Sequence, residues 1–232
     1  MLIESDIAIA AGILKTANSP LFGASRRISD IGHAIMILGI TRVIDIAMAL
    51  KMSAIGKQHP LTSQIWEHSR AVAEIATVVA KVLKFMDILP NIAHTTGLLH
   101  DCGLFPMLQS KPFTSSNSKM ITDISTLDMD PEKSMMHSHW GYYMLKSWGL
   151  PEVVCQAVKY HHDFENIPDA DTELKNLAAL IILSEQISWI ISNPQFEQKL
   201  KSNETHISVL DYLLLTFEDF NEIKNDIWVT QC

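Results

Sequence analysis

The sequence predicts an all-α protein organised as one domain, a multi-helix bundle. Apolar residues recur at helical spacing through most of the chain, and no segment shows the strict alternation of a half-buried strand. Only 9 glycines and 9 prolines occur in 232 residues, and several stand where a periodic stretch stops. A hydrophobic content of 47% completes the case for a globular, helix-rich chain long enough for one good-sized core.

The elements follow in order. Ile7, Ala11, Ile13 and Leu14 share a helix face that opens after Ser5-Asp6, both good N-cap types. That helix ends near Asn18-Ser19-Pro20, because Pro20 pushes Ser19 out of the helical region. A turn, LFGASRRIS, follows. Ser29 or Asp30 then caps a short helix carrying Ile31, Ala34, Ile35 and Leu38 and closed at Gly39. Thr41 is a candidate cap for the next helix, TRVIDIAMALKMSAI, which runs out near Gly56. Residues 62–86 carry an amphipathic stripe of Ile65, Val72, Ile75, Ala76, Val79 and Leu83. Residues 91–100 form a shorter helix ended by Gly103. The polar stretch KPFTSSNSKMITDISTLDMD (111–130) reads as a loop. Helices resume over 131–148, 151–162 and 173–192, with Pro131 and Pro151 suited to first turns. One or two amphipathic helices complete the chain from Asn193.

Composition excludes some functions. The net charge is −8, and Arg26-Arg27 is the only adjacent basic pair, which disfavours a direct grip on nucleic acid. Three cysteines (Cys102, Cys155, Cys232) without C-x-x-C spacing suggest no disulfide framework, so a reducing, cytoplasmic setting is expected. The opening MLIESDIAIA lacks the basic start of a secretory signal. LAALIILSEQISWII is broken by Ser184, Glu185, Gln186 and Ser188 and falls short of the roughly 20 apolar residues of a span. No membrane association is expected.

Ten histidines carry what chemistry the sequence suggests. His68 lies mid-helix, His100-Asp101 end one helix, His137 and His139 open another, and His161-His162 close a third. Imidazole and carboxylate together suit a divalent cation such as zinc, manganese or iron. Such a cation lowers the pKa of coordinated water and supplies a nucleophile for a phosphate ester. Adjacent helical side chains diverge by about 100°, so His100 and Asp101 share an ion only if it sits between their directions. A plainer account stands beside this one: a histidine in the last turn is favoured by the helix dipole, which alone explains His161-His162.

The joint pattern resembles the HD superfamily of metal-dependent phosphohydrolases, whose signature runs His, then His-Asp, then a distal Asp. Three stretches narrow the resemblance to the HDOD domain, the HD-related output domain of bacterial signalling proteins. They are LKTANSPLFGASRRISDIGHAIMILGITRV, IWEHSRAVA with GLLHDCG, and HSHWGYYMLKSWGLPEVVCQAVKYHHDFE. The resemblance covers residues 1–192 and leaves 193–232 as a C-terminal helical extension packed on the domain. Against the family pattern the chain begins inside the first helical region: either the helices usually found before it are absent, or the chain is a fragment or has a misplaced start.

The resemblance implies His68, His100 and Asp101 as metal-holding positions. His137, His161 and His162 correspond to further ligands of relatives with two or more metals, such as the HD-GYP phosphodiesterases. The distal Asp is replaced: the corresponding helix reads AALIILSEQISW, with Glu185 as the nearest counterpart. The extra methylene of Glu moves its carboxylate beyond a tight ligand tolerance unless the backbone adjusts. Leu104 stands where HD-GYP proteins have Lys, and their GYP segment has no match in HHDFENIPDAD, so cyclic-di-GMP hydrolysis gains no support. Two functions are therefore weighed. One is a bacterial signal-transduction module that binds a signalling protein, or a second copy of itself, without catalysis. The other is a metal-dependent phosphohydrolase in which His100 and Asp101 serve catalysis and the cofactor is Mn, Fe or Zn. A structural metal without turnover lies between them.

Overall fold

The computed structural model describes residues 7–20, 28, 30–55, 61–108 and 131–231. Helices dominate, and no strand occurs among the described residues. The chain divides into two compact units, residues 1–58 and 59–232.

The first unit holds α1 (Ile7–Ala17), α2 (Ile31–Leu38) and α3 (Ile40–Ile55), each packed on the other two. Their shared core is Ile9, Ile13, Ala17, Ile28, Ala34, Leu38 and Val43. Asp30 caps α2 by accepting a bond from the His33 N–H at 2.7 Å. Gly39 closes α2 at φ +76°, a backbone region that β-carbon-bearing residues avoid, and the chain bends by 107° there into α3. Since α3 starts at Ile40, Thr41 lies inside its first turn and is not its cap. Asn18 ties the end of α1 to the incoming segment. Its amide donates to Leu14 O at 2.8 Å and Ile28 O at 2.7 Å, and its oxygen accepts from the Ile28 N–H at 2.8 Å. Ser5-Asp6, the LFGASRR turn, Ser29, Gly56 and the 111–130 loop lie outside the described residues.

The second unit is built around one helix. It contains α4 (Thr62–Val82), a 3-10 turn (Lys84–Met86), α5 (Pro90–Leu99), α6 (Leu104–Leu108), α7 (Pro131–Ser147) and α8 (Glu152–Tyr160). A second 3-10 turn (Phe164–Asn166) leads to α9 (Thr172–Ser192), followed by α10 (Phe196–Leu200), α11 (Glu204–Leu213) and α12 (Phe217–Gln231). Helix α9 packs against α4, α5, α8, α10 and α11. It is apolar nearly all round because it is buried nearly all round. Taken singly, α9 is the one described helix long and apolar enough to cross a membrane, and 78% of its apolar window is buried within this unit, as expected of a core helix.

The core runs from Ile75 and Val79 on α4 through Leu177–Leu183 on α9 to Leu200, Val209, Leu213, Phe220 and Ile227. The last forty residues thus form three helices, not one or two, and contribute to this core. Their boundaries have local causes. Asn203 caps α11 through the His206 N–H at 2.8 Å, and Thr216 with Asp219 exchange side-chain and backbone bonds at the start of α12. The stripe over 62–86 splits after Val82, where Leu83 leaves helical geometry. Pro151 is the extended N-cap of α8 and not its first helical residue. Before it, Gly149 at φ +75° and the Leu150 N–H bond to Leu145 O close α7.

Candidate metal centre

The site begins with two helix ends that solve the same problem alike. His100 ends α5, and its Nδ1 lies 2.7 Å from Gly97 O; His161 ends α8, and its Nδ1 lies 2.6 Å from Val158 O. A carbonyl can only accept, so both Nδ1 atoms carry the proton. Each ring thereby satisfies an orphan carbonyl of its helix's last turn and turns its Nε2 inward. Burial and the charge of neighbouring His162 lower the His161 pKa to about 3, so this ring is neutral and its Nε2 presents a lone pair. The dipole account of His161 is therefore only half the answer: the ring bonds the helix end, but without a positive charge.

Glycines let these ends meet the other helices. A β-carbon on Gly97 would crowd the Ala73 backbone at 3.0 Å, so α5 lies close on α4 and brings His100 to His68. A β-carbon on Gly103 would overlap the carbonyl oxygen of His137 and the nitrogen of Gly141. The turn after Asp101 thus rests directly on the α7 backbone, with His137 aimed into the site. Gly103 frees a turn, as the sequence suggests, but its more demanding role is this contact.

Asp101 stands at the middle. Its Oδ1 lies 3.1 Å from His137 Nε2 and 3.7 Å from His161 Nε2; its Oδ2 lies 3.4 Å from His100 Nε2 and 3.8 Å from His68 Nε2. Burial raises the Asp101 carboxyl, but the imidazoles around it, His100 first, outweigh this and hold it well below the usual carboxylate range. The group is an anion with no solvent exposure. Next to it, burial and the Asp101 charge push the Cys102 thiol up, so Cys102 stays protonated and joins neither ligand group.

All seven residues singled out by sequence converge. They form two groups: Asp101, His137, His161 and His162, and then His68, His100 and Glu185. Within each group the ligand atoms lie within 4.8 Å of one another, and the Asp101 carboxylate faces both. Glu185 reaches its place despite its length because Trp189, one turn along α9, donates its Nε1–H to Glu185 Oε1 at 3.3 Å. The same indole stacks on His68, with centroids 4.4 Å apart and planes 24° from parallel. Trp189 was not among the residues singled out, although the i, i+4 spacing in SEQISW is a signal that could have found it. His139 belongs elsewhere: its Nδ1 bonds Met135 O at 2.7 Å.

The donor set fits a divalent metal. His100 Nε2 and both Asp101 oxygens are buried and make no hydrogen bond of good geometry among the described residues. Burying such groups unsatisfied costs about 1–3 kcal/mol each, more for a charge. His137 Nε2 and His161 Nε2 face each other at 3.2 Å, and with the latter a lone pair only one proton can lie between them. Lone pairs gathered on a buried carboxylate leave hydrogen-bonding capacity unmet in a way a cation would satisfy. The cluster could hold a metal.

A helical bundle with a buried His/carboxylate centre defines the class, and comparison places the chain within it. Residues 1–164 match the HDOD domain, and the chain belongs to that family. An uncharacterized protein of Treponema pallidum (strain Nichols) is 23% identical over 214 residues, which is 85% of this chain and 39% of that protein. The chain thus spans less than half of that relative. Among solved structures, an HDOD domain protein of unknown function from Geobacter sulfurreducens is similar with a TM-score of 0.62 and 24% identity, over 99% of this chain and 80% of that one. A candidate metal-dependent phosphohydrolase from Shewanella amazonensis SB2B gives 0.53 and 20%, over 97% and 82%. The MmoQ response regulator of Methylococcus capsulatus str. Bath gives 0.52 and 19%, over 96% and 87%. At these identities the likeness shows the fold.

Proposed function

We propose that this chain is a regulatory HDOD module that acts by binding a signalling protein, and that its His/Asp/Glu centre holds metal without turnover. The burial of the centre carries this reading. His100, Asp101, His137 and His161 are at most 1% exposed, and Trp189 lies across His68 while holding Glu185. A phosphate ester needs an open coordination position and a route to it. Proteins of this fold bear both regulator and hydrolase names, so the fold leaves the choice to the site. Protein contacts are supported by apolar side chains exposed at the α2–α3 corner (Met36, Ile37, Ile40) and at and just after the end of α4 (Val82, Phe85, Leu89).

The convergent donor set favours a second reading. In a metal-dependent phosphohydrolase, His68, His100, Asp101 and Glu185 would hold an ion that supplies Lewis acidity toward a phosphate ester. The two readings separate in one experiment. Protein purified without a chelating tag is analysed for bound metal and assayed on a panel of phosphodiesters and phosphomonoesters with added manganese, iron or zinc. Metal uptake with no turnover is expected. Turnover that Asp101→Ala abolishes would replace the regulatory reading with the enzymatic one.

A further inference from the structure

The two ligand groups differ in what holds their side chains. In the four-donor group, Asp101 projects from the turn that Gly103 seats on α7, and His161 is fixed by its bond to Val158 O. In the three-donor group, His100 is likewise fixed by Gly97 O, and His68 and Glu185 both contact the indole of Trp189. Glu has one more rotatable bond than Asp, and confining it costs rotamer entropy that a fixed hydrogen-bond partner offsets. Phe196, at the start of α10, adds a tilted ring contact to the indole, with centroids 6.4 Å apart.

From this geometry we infer that Trp189 is a positioning residue for the His68, His100 and Glu185 pocket, setting that pocket's affinity for a divalent ion while leaving the Asp101, His137, His161 and His162 pocket unaffected. The inference rests on the metal reading of the centre. Outer residues that orient ligands commonly change metal affinity by about 10–100-fold when removed. With the Asp101 carboxylate facing both pockets, the second ion to enter meets the charge of the first, and the pocket whose side chains lean on the indole is the one that fills second and more weakly.

The test is a cobalt(II) titration of the metal-free full chain, followed by visible absorption and tryptophan emission. Wild type is expected to take two ions in resolved phases, with emission quenched in the weaker one. W189A shifts the weaker phase by up to about a hundredfold and leaves the tighter one in place. W189F keeps a ring over His68 but loses the bond to Glu185, so it shifts the same phase by about tenfold and abolishes its quenching. If W189A does not fold, the W189F titration decides alone. A weaker phase that superimposes on wild type overturns the inference, as does an equal shift of both phases, which marks a general structural role. Wild type that takes up no cobalt overturns the metal reading itself, whereas two ions in wild type with unchanged variants overturn only the role of Trp189.

Discussion

Asn18 and Asp101 are both polar residues at helix ends within segments that carry the family resemblance, and the two units use them in opposite ways. Among the described residues, every side-chain bond Asn18 makes closes on the protein's own backbone, at Leu14 O, Ile28 O and the Ile28 N–H. Asp101 is buried as a carboxylate among four imidazoles, and no donor satisfies either of its oxygens with good geometry among the described residues. A satisfied polar group fixes a fold, whereas an incompletely satisfied buried cluster is shaped for something it does not itself contain. That contrast, more than the presence of histidines, sets residues 59–232 apart as the unit with a cluster that could hold a metal.

The largest effect should come from the scaffold of the centre. Gly103→Ala drives a methyl into the backbone of α7 at His137 and Gly141, and we expect a loss above about 4 kcal/mol or failure to fold, read by thermal melting with circular dichroism. Next is Asp101→Ala. At zinc or manganese about a thousandfold above Kd, wild type should gain about 4 kcal/mol over the metal-free protein, and the variant should gain nothing. Asn18→Ala should lose about 2 kcal/mol by orphaning the Ile28 backbone, yet keep the whole metal-linked gain. If the two variants responded to metal alike, the contrast between the units would collapse.

The smallest effect belongs to a buried histidine outside the centre. Burial lowers the His206 pKa to about 4, while its Nδ1 bonds Gln186 Oε1 at 2.6 Å. The unfolded chain protonates near 6.5 and the folded one near 4, so stability is complete above pH 6.5 and falls as pH drops through that window. His206 should cost about 1.4 kcal/mol between pH 8 and pH 5.5, and His206→Leu should remove that part of the slope in denaturant melts at several pH values.

Much of this was legible because its signal is local. Helical period and cap residues place α1, α2 and α4 to within a few residues, and Asp30 and Gly39 bound α2 as their chemistry demands. The candidate ligand residues stand out by type and by their spacing within the family pattern, and all seven fall into the two groups that could hold a metal. What stayed hidden depends on contacts distant in sequence. Nothing near Gly103 announces that α7, some thirty residues on, rests against it. Glu185 seems misplaced until Trp189 is seen to bond it and stack on His68, more than a hundred residues earlier. Thr41 is a good cap by type, but the sharp bend at Gly39 puts the cap, and the start of the helix, two residues sooner.

The claim on which the account turns is that Asp101 joins two metal pockets. Anomalous diffraction from crystals grown with zinc or manganese tests it most directly. The account predicts two peaks flanking the Asp101 carboxylate, one bounded by His137, His161 and His162 and the other by His68, His100 and Glu185, with ligand atoms about 2.0–2.2 Å away for zinc. Crystals with no anomalous peak at Asp101, and the imidazoles hydrogen-bonded to the carboxylate and to one another, would contradict it.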